Sequence, residues 1–432
     1  MRIIVWAINY APELTGIGPF NKELCEFLAA DGHDVEIVTT FPYYPSWRKR
    51  PENRWRFSAS ESCEGVRIDR CWHYVPTRPS LLKRILHEAS FVATSFLRVL
   101  GMKRPDLFIV VSPPLLLGAA ATVACWIKKV PYVFHVQDLQ PDAALGLEMV
   151  KPGLFTRLLY GLESFAYRHA ALVSGISEGM MKAFERKGVP KDKRVYFPNG
   201  VRLSATPEIE NTGTFRKRHN LSNDDFLAVY SGNLGVKQGL EIVIEAARLS
   251  ADPRLRFVIC GEGAQRTTLQ RRVQELGLKN VSMLPLQPAK DYHAMLADAD
   301  LCLVTQMHGS GQAFLPSKLL NILAAAKPVV AVADEDSAVA VAVKQGRFGL
   351  SVPPEDPAAL LEAIEDIRRH PDSLESLGHA GRSFVEQFAM DRVLRDFCVT
   401  LGRTTATSPL ATKATTDPRP SDSRPSREVF IP

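Results

Sequence analysis

The sequence predicts an α/β protein built of two Rossmann-like, doubly wound halves that face each other across a cleft. Three observations carry this. The chain of 432 residues exceeds what one hydrophobic core usually organises, which points to two domains of about 200 residues each. Short β-branched runs alternate with longer amphipathic stretches, the signature of parallel sheets flanked by helices, and this series occurs twice. Between the two series, Val201 to Asp225 is polar and broken by Pro207 and Gly213, as a domain connection would be. The expected units are residues 1–205, residues 206–388, a C-terminal helix over 389–403 and a disordered tail over 404–432, dense in Thr, Ser, Pro and Arg.

In the first half, strands are expected at Arg2 to Ala7, Asp34 to Thr39, Leu107 to Val111, Tyr132 to Val136, Ala171 to Gly175 and Arg194 to Phe197. Helices fit between them at Pro19 to Asp31, Leu81 to Leu100, Gly153 to His169 and Ser177 to Lys187. In the second half, strands are expected at Leu227 to Ser231, Arg256 to Cys260, Val281 to Leu284, Leu301 to Val304 and Val329 to Val332, again with helices between. The uncharged run Leu107 to Ile127 is long enough to span a bilayer. Pro113 and Pro114 would break such a helix near its start, so a buried strand followed by a buried helix from Leu115 is the preferred reading.

Hydrophobic residues at 46% and charged residues at 23% exclude a fibrous or wholly disordered chain. The net charge of +6 sits in the first 200 residues, which hold 26 Lys and Arg against 19 Asp and Glu. The seven cysteines form no CxxC pair, so neither a zinc site nor a disulfide framework is indicated, and reduced thiols in the cytoplasm are expected. The opening MRIIVWAINYAPE lacks the apolar stretch of a secretory leader. No nucleic-acid-binding module accompanies the basic excess. Basic residues with apolar neighbours, at Trp47 to Arg50, Arg54 to Arg56 and on the helix bearing Lys83, Arg84, Arg98, Lys103 and Arg104, suit an anionic membrane surface, or else a solvated basic face.

Ligands of open parallel sheets bind at the carboxyl ends of the strands, so the loops after the strands hold the candidate residues. Gly16 and Gly18 lie in Thr15-Gly16-Ile17-Gly18 before the first helix, a place for an anion or a plain flexible turn. The loop starts too late after its strand, and lacks the third glycine, for a dinucleotide fingerprint. His135 and Asp138 at the end of the Tyr132 strand set an imidazole and a carboxylate at the cleft mouth, either as a base for an attacking hydroxyl or as strand and turn caps. Gly232, Asn233 and Lys237 in Ser231 to Gly239 suggest a diphosphate clamp of backbone N–H groups and an ammonium. Gly261 and Glu262 follow the next strand, where small residues let a base or ribose approach. In Gly309 to Pro328, Ser317 and Lys318 combine a hydroxyl, an ammonium and open N–H groups at a helix start. Asn321, one turn on, is placed for a ribose hydroxyl or for an ordinary polar face.

These residues resemble a known family, the retaining glycosyltransferases of the GT-B fold, family 4, over about residues 1 to 400. The likeness is strongest to the colanic acid biosynthesis fucosyltransferase branch. It rests on Asn9 to Gly18, Gly32 to Val35, His135 to Pro141, Pro198 to Val201, Tyr230 to Glu241 and Pro316 to Ala324. The resemblance implies an acceptor site in the first half, a nucleotide-sugar site in the second, and transfer of a hexosyl group without cofactor or metal. It makes fucose from GDP-fucose the leading donor, a UDP-sugar the alternative, and a lipid-linked oligosaccharide the acceptor. It also places the enzyme in the cytoplasm, peripheral to the inner face of the plasma membrane. No Asp-x-Asp pair is read in a loop suited to bridge a metal. The family usually carries Arg where Asn233 stands, Lys where Gln238 stands, and Glu near Ala313 and at Asn321; a catalytically silent scaffold is therefore the reading from another class.

Overall fold

The computed structural model describes residues 1–13, 16–44, 46–78, 80–142, 153–203, 213–309 and 315–406, without the side chains of 289 and 403–406. The expected tail therefore lies, beyond 406, outside the described residues.

The first half contains β1 (Arg2–Trp6), α1 (Gly18–Ala30), β2 (Asp34–Thr40), β3 (Ser58–Cys63), β4 (Val66–Cys71), α2 (Leu81–Gly101), β5 (Leu107–Ser112), α3 (Leu115–Lys128), β6 (Tyr132–Val136), α4 (Leu154–His169), β7 (Leu172–Gly175), α5 (Glu178–Arg186) and β8 (Arg194–Tyr196). They form an eight-stranded sheet in the order β3-β4-β2-β1-β5-β6-β7-β8. Every pairing in it is parallel except the β3–β4 hairpin. The second half contains α6 (Thr214–Arg218), β9 (Phe226–Asn233), α7 (Glu241–Leu249), β10 (Leu255–Glu262), α8 (Arg266–Glu275), β11 (Val281–Leu284), α9 (Ala289–Asp298), β12 (Leu301–Thr305), α10 (Ser317–Ala324), β13 (Val329–Val332), α11 (Ala338–Gly346), β14 (Gly349–Val352), α12 (Pro357–Arg369) and α13 (Pro371–Val385). Its six-stranded sheet runs β11-β10-β9-β12-β13-β14, parallel throughout.

The inner strands are buried on both faces. Ile3, Val5, Phe108, Ile109, Val133 and Phe134 are fully enclosed, which is why they read as continuous apolar runs rather than as an alternation. Each sheet is covered on both sides, giving four apolar clusters in all. The apolar run from Leu107 divides as preferred, into β5 and α3. Among the described residues no helix is long and apolar enough to cross a membrane.

Three strands depart from the expectation. The β3–β4 hairpin was not foreseen, because Ser58–Cys63 is an almost wholly exposed edge strand without an apolar alternation. Strand β14 was missed as well, a four-residue edge whose middle residues face solvent.

The last helix, α14 (Met390–Ala406), leaves the second half and packs on the first. Met390, Val393, Leu394, Phe397 and Leu401 join the cluster that holds Ile3, Val5, Ile37 and Ile109. The Phe397 ring lies flat on Phe197, with centroids 3.9 Å apart and planes 3° from parallel. Burial of each such side chain contributes about 1.5 to 3 kcal/mol. Beside this contact the chain's two crossings between the halves are tied together: Val201 N–H donates to Phe388 O and Met390 N–H to Val201 O, both at 2.9 Å. Arg202 binds both carboxylate oxygens of Glu23 through Nε, at 2.8 and 2.9 Å. Phe397→Ala is expected to lower stability by about 3 to 5 kcal/mol, measured by urea unfolding of the whole chain. An unchanged midpoint would show that α14 does not hold the halves.

Candidate active site

Across the cleft Asp138 of the first half faces Lys237 of the second; Gly16 and Gly18 lie in the loop and helix start after β1, Gly232 at the end of β9 and Lys318 at the start of α10. Their environments differ sharply.

Lys318 is the most unusual group. It is half-buried in the first turn of α10, and its Nζ lies 4.1 Å from the ring centroid of Tyr230. Tyr230 is itself fully buried, and its hydroxyl donates to Asn233 O at 2.8 Å. The ring face attracts the ammonium, but burial still pulls Lys318 down to about 7. A Cβ at Gly232 would lie 3.6 Å from Nζ, an ordinary van der Waals contact, so the glycine backbone borders the cation, and its φ of +150° is one that favours glycine. Among the described residues no side chain caps the start of α10, which adds the N–H groups and positive dipole end of a helix to that cation. The glycine loop before it falls, over 310–314, outside the described residues, as does Ala313. Ser317 is exposed and Asn321 half-buried, one turn apart on α10.

Asp138 follows β6 and is exposed to the cleft. Crowding by the cleft walls raises its carboxyl above the usual range, and Lys237 from the opposite half acts against that rise. Lys237 lies in the single turn Val236–Gln238, whose carbonyl at Lys237 accepts from Met307 N–H at 2.8 Å.

His135 does not join them. Its ring is 2% exposed, with Nδ1 2.9 Å from Ser174 Oγ and Nε2 2.8 Å from Gln137 Nε2. Burial lowers it to about 3, so the ring is neutral, accepting from the Gln137 amide and donating to Ser174. Gln137 and Asn199 exchange two amide hydrogen bonds of 3.0 Å. The reading of His135 as a base at the reacting centre is thus corrected: it sits inside the sheet and stiffens the strand end that carries Asp138.

Several other expectations change in kind. The N–H groups of the Gly235 loop are largely used within it: Gly235 N–H donates to Gln238 Oε1 at 3.2 Å, Gln238 N–H to Gly235 O and Gly239 N–H to Val236 O. Fewer remain for a phosphate than the clamp reading supposed. Gly261 is required by its neighbour strand, because a Cβ there would fall 1.8 Å from Gly232 O. Glu262 is exposed and pairs with Arg266 at 3.1 Å. Gly16 packs near Tyr44, and Gly18 against Glu13. Glu13, buried, accepts from the N–H groups of Tyr43 and Tyr44 at 3.1 and 3.0 Å and from Asn9 at 2.8 Å, so it shapes this loop.

An Asp-x-Asp pair does stand at the cleft edge, against expectation: Asp334 and Asp336 follow β13. Asp334 accepts from His308 Nδ1 at 2.7 Å and Gly309 N–H at 2.9 Å, and so fastens the loop after β12. The Asp298 and Asp300 pair lies at the opposite end of β12, where Asp298 accepts from the N–H groups of Gly213, Phe215 and Arg216. Among the described residues no group of three His, Cys, Asp or Glu side chains is placed to hold a metal. A cavity of about 980 Å³ lies between α5 and α11 and is lined by Ser177, Asn199, Leu315, Asp334 and Ser337 among others.

Two doubly wound sheets meeting at their carboxyl edges, with lysines of the second turned to the cleft, define the GT-B class of glycosyltransferase. Residues 15–200 match the family model described as a glycosyl transferase 4-like domain, and residues 211–384 match that of glycosyl transferases group 1. The chain is 38% identical over 332 residues to a protein of Escherichia coli (strain K12) that carries the name colanic acid biosynthesis glycosyl transferase WcaI, covering 75% of this chain and 81% of that one. A protein of Pseudomonas aeruginosa named as glycosyltransferase WbjE is 25% identical over 66% of this chain and 71% of its own length. Sucrose-phosphate synthase from Thermosynechococcus elongatus superposes with a TM-score of 0.74 at 20% identity, over 94% of this chain and 100% of the other. HepE of Anabaena, solved with UDP-glucose, superposes with a TM-score of 0.67 at 17% identity, over 93% and 100%. The chain belongs to glycosyltransferase family 4.

The Lys318 environment makes a signed prediction. A bound diphosphate favours the protonated amine, so affinity for a nucleoside diphosphate should fall as pH rises from about 7 to about 9, and Lys318→Met should flatten that dependence. In the free protein the folded-state value lies below the unfolded one. The burial penalty is therefore full below about 7 and fades as pH rises toward the unfolded value. Lys318→Met should accordingly raise the unfolding midpoint more at pH 6 than at pH 9. Calorimetric titration and thermal unfolding check the two halves of this; an unaltered pH dependence of binding in the variant would remove Lys318 from the site.

Proposed function

We propose that the chain transfers a hexosyl group, with fucose from GDP-fucose as the leading donor, to a lipid-linked oligosaccharide in exopolysaccharide assembly of the colanic acid type. Transfer retains the anomeric configuration and uses no metal. The enzyme works in the cytoplasm at the inner face of the plasma membrane. The observation that carries the reading is the Lys318 ammonium, held against the Tyr230 ring beside Gly232 without a carboxylate partner among the described residues. The name of the Escherichia coli relative supports the pathway.

In this reading Lys318, Ser317 and the N–H groups at the start of α10 hold the donor's diphosphate, with Lys237 and Asn233 on its flank. Gly261 and Glu262 lie toward the nucleoside, and Asn321 toward the ribose. The bond from the sugar's anomeric carbon to the phosphate oxygen breaks, and its electron pair stays on the diphosphate. Lys318 and Lys237 offset the negative charge that develops there. The acceptor hydroxyl, positioned near the Gly16 and Gly18 loop, forms the new bond and gives its proton to Asp138. The raised pKa of that carboxyl makes it a better proton acceptor than an ordinary aspartate.

Incubation with GDP-, UDP- and TDP-sugars and a lipid-linked acceptor should release nucleoside diphosphate with one donor class. GDP-fucose is the expected one; release from a UDP-sugar would support the alternative donor. Asp138→Asn should lower kcat by about 100-fold or more while leaving donor affinity near that of the unaltered chain. No release with any donor would favour the silent scaffold and overturn the proposal.

A further inference from the structure

The segment Gln306 to Gly309, directly after β12, is tied to two other parts of the second half. Gln306 N–H donates to Val332 O at the end of β13, and Met307 N–H donates to Lys237 O, both at 2.8 Å. One residue on, His308 Nδ1 lies 2.7 Å from Asp334 Oδ1, and Gly309 N–H donates to Asp334 Oδ2 at 2.9 Å. The turn that carries Lys237 also touches this segment, since a Cβ at Gly239 would lie 3.5 Å from Met307 Cα. These contacts make a strap that runs from the loop after β13 to the Lys237 turn.

Asp334 is the point at which the strap is fastened. Its side chain is 24% exposed, and each carboxylate oxygen has its own partner, an imidazole for one and a backbone N–H for the other. Burial acts to raise the Asp334 carboxyl, but the His308 and Gly309 hydrogen bonds outweigh it and hold the group below its usual range. In return the hydrogen bond and charge of Asp334 raise His308 above its usual value, against desolvation, and the charges of Glu355 and Asp336 add to the rise. The two shifts describe one charge-assisted bridge. An exposed ion pair alone contributes little; this one is reinforced by the Gly309 N–H and anchors a brace on another loop.

That other loop matters because Lys237 faces Asp138 across the cleft. Its own frame is the single turn Val236–Gln238, and one such turn holds its side chains loosely. The bond from Met307 N–H supplies support from outside the turn. We propose that Asp334 is a positioning residue for donor binding: by holding His308 and Gly309 it fixes the strap that braces Lys237, and so sets where that ammonium meets the donor's diphosphate. This role rests on the donor site proposed above. Asp334 itself touches no reacting atom.

The pH dependence of the bridge has a definite sign. A group whose folded value is raised gives its full contribution below its ordinary value of 6.5 and loses it as pH rises through the folded value. The bridge therefore grips most firmly at about pH 6 and weakens toward about pH 9.

The test is calorimetric titration of the full chain with GDP and with UDP. Asp334→Asn and, separately, His308→Gln should each raise Kd about three- to tenfold at pH 6, with the unfolding midpoint close to that of the unaltered chain. The ratio of Kd between variant and unaltered chain should shrink as pH rises to about 9, and in that ratio the contribution of Lys318, common to both chains, cancels. Because Asp334 acts through Lys237, adding Asp334→Asn to Lys237→Met should change Kd less than twofold, whereas adding it to Lys318→Met should keep its full effect. An unchanged Kd in folded Asp334→Asn at pH 6 would overturn the proposal. A ratio constant with pH, or an equal loss in the Lys237→Met background, would do the same by reducing Asp334 to a general structural part. If Lys237→Met and Lys318→Met weaken binding while Asp334→Asn does not, only the positioning role falls; if none of the three has an effect, the donor site falls with it.

Discussion

The stacking of Phe397 on Phe197 is the contact on which the rest of the arrangement depends. Each parallel sheet can bury its own core, but a site made from both carboxyl edges needs the two sheets held in one relation. The chain meets this need by crossing twice at the same place, after Gly200 and before Met390, and by locking the crossings with the Val201 hydrogen bonds. α14 then gives up a place on the second domain to bury its apolar stripe on the first. Local packing thereby fixes a long-range geometry, and Asp138 stands opposite Lys237 as a result.

Within that frame the Lys318 ammonium is the energetic anomaly. Burying a cation without a carboxylate beside it is unfavourable, and a pKa drawn down to about 7 records the cost. The Tyr230 face offsets only part of it. A hydrocarbon side chain would serve the fold better, whereas an anionic ligand beside Gly232 would complete the charge pair. Perturbed groups of this kind concentrate at functional sites. His135 illustrates the opposite case, since its shift comes from burial inside a satisfied hydrogen-bond chain and carries no access to the cleft.

Much of the fold was legible because its central strands are apolar on both sides. β6 and β13 have the bounds expected from Tyr132 to Val136 and Val329 to Val332, and the half-buried edge strand β11 has those expected from Val281 to Leu284. The edge strands with more exposed side chains were not legible, since Ser58–Cys63 and Gly349–Val352 gain their place from backbone pairing with β4 and β13 rather than from their side chains. The site was legible as a set of strand-end loops, yet the reason for each residue was not. A strand-end histidine reads the same whether its ring points outward or inward, and here the register turns it inward. Gly261 signals close approach, but the approaching atom is Gly232 O. The His308 and Asp334 pair is invisible to local spacing because two different loops supply it. The role of Tyr230 had one clue, its place directly before Ser231-Gly232-Asn233, although periodicity assigns it simply to the core.

The central claim is that the donor's diphosphate binds at the start of α10, in front of Lys318. A crystal structure of the complex with a nucleoside diphosphate tests it most directly. The account predicts phosphate oxygens within about 3 Å of Lys318 Nζ and of the first N–H groups of α10. A diphosphate lodged instead in the cavity between α5 and α11, with the Lys318 ammonium still against Tyr230 alone, would contradict it.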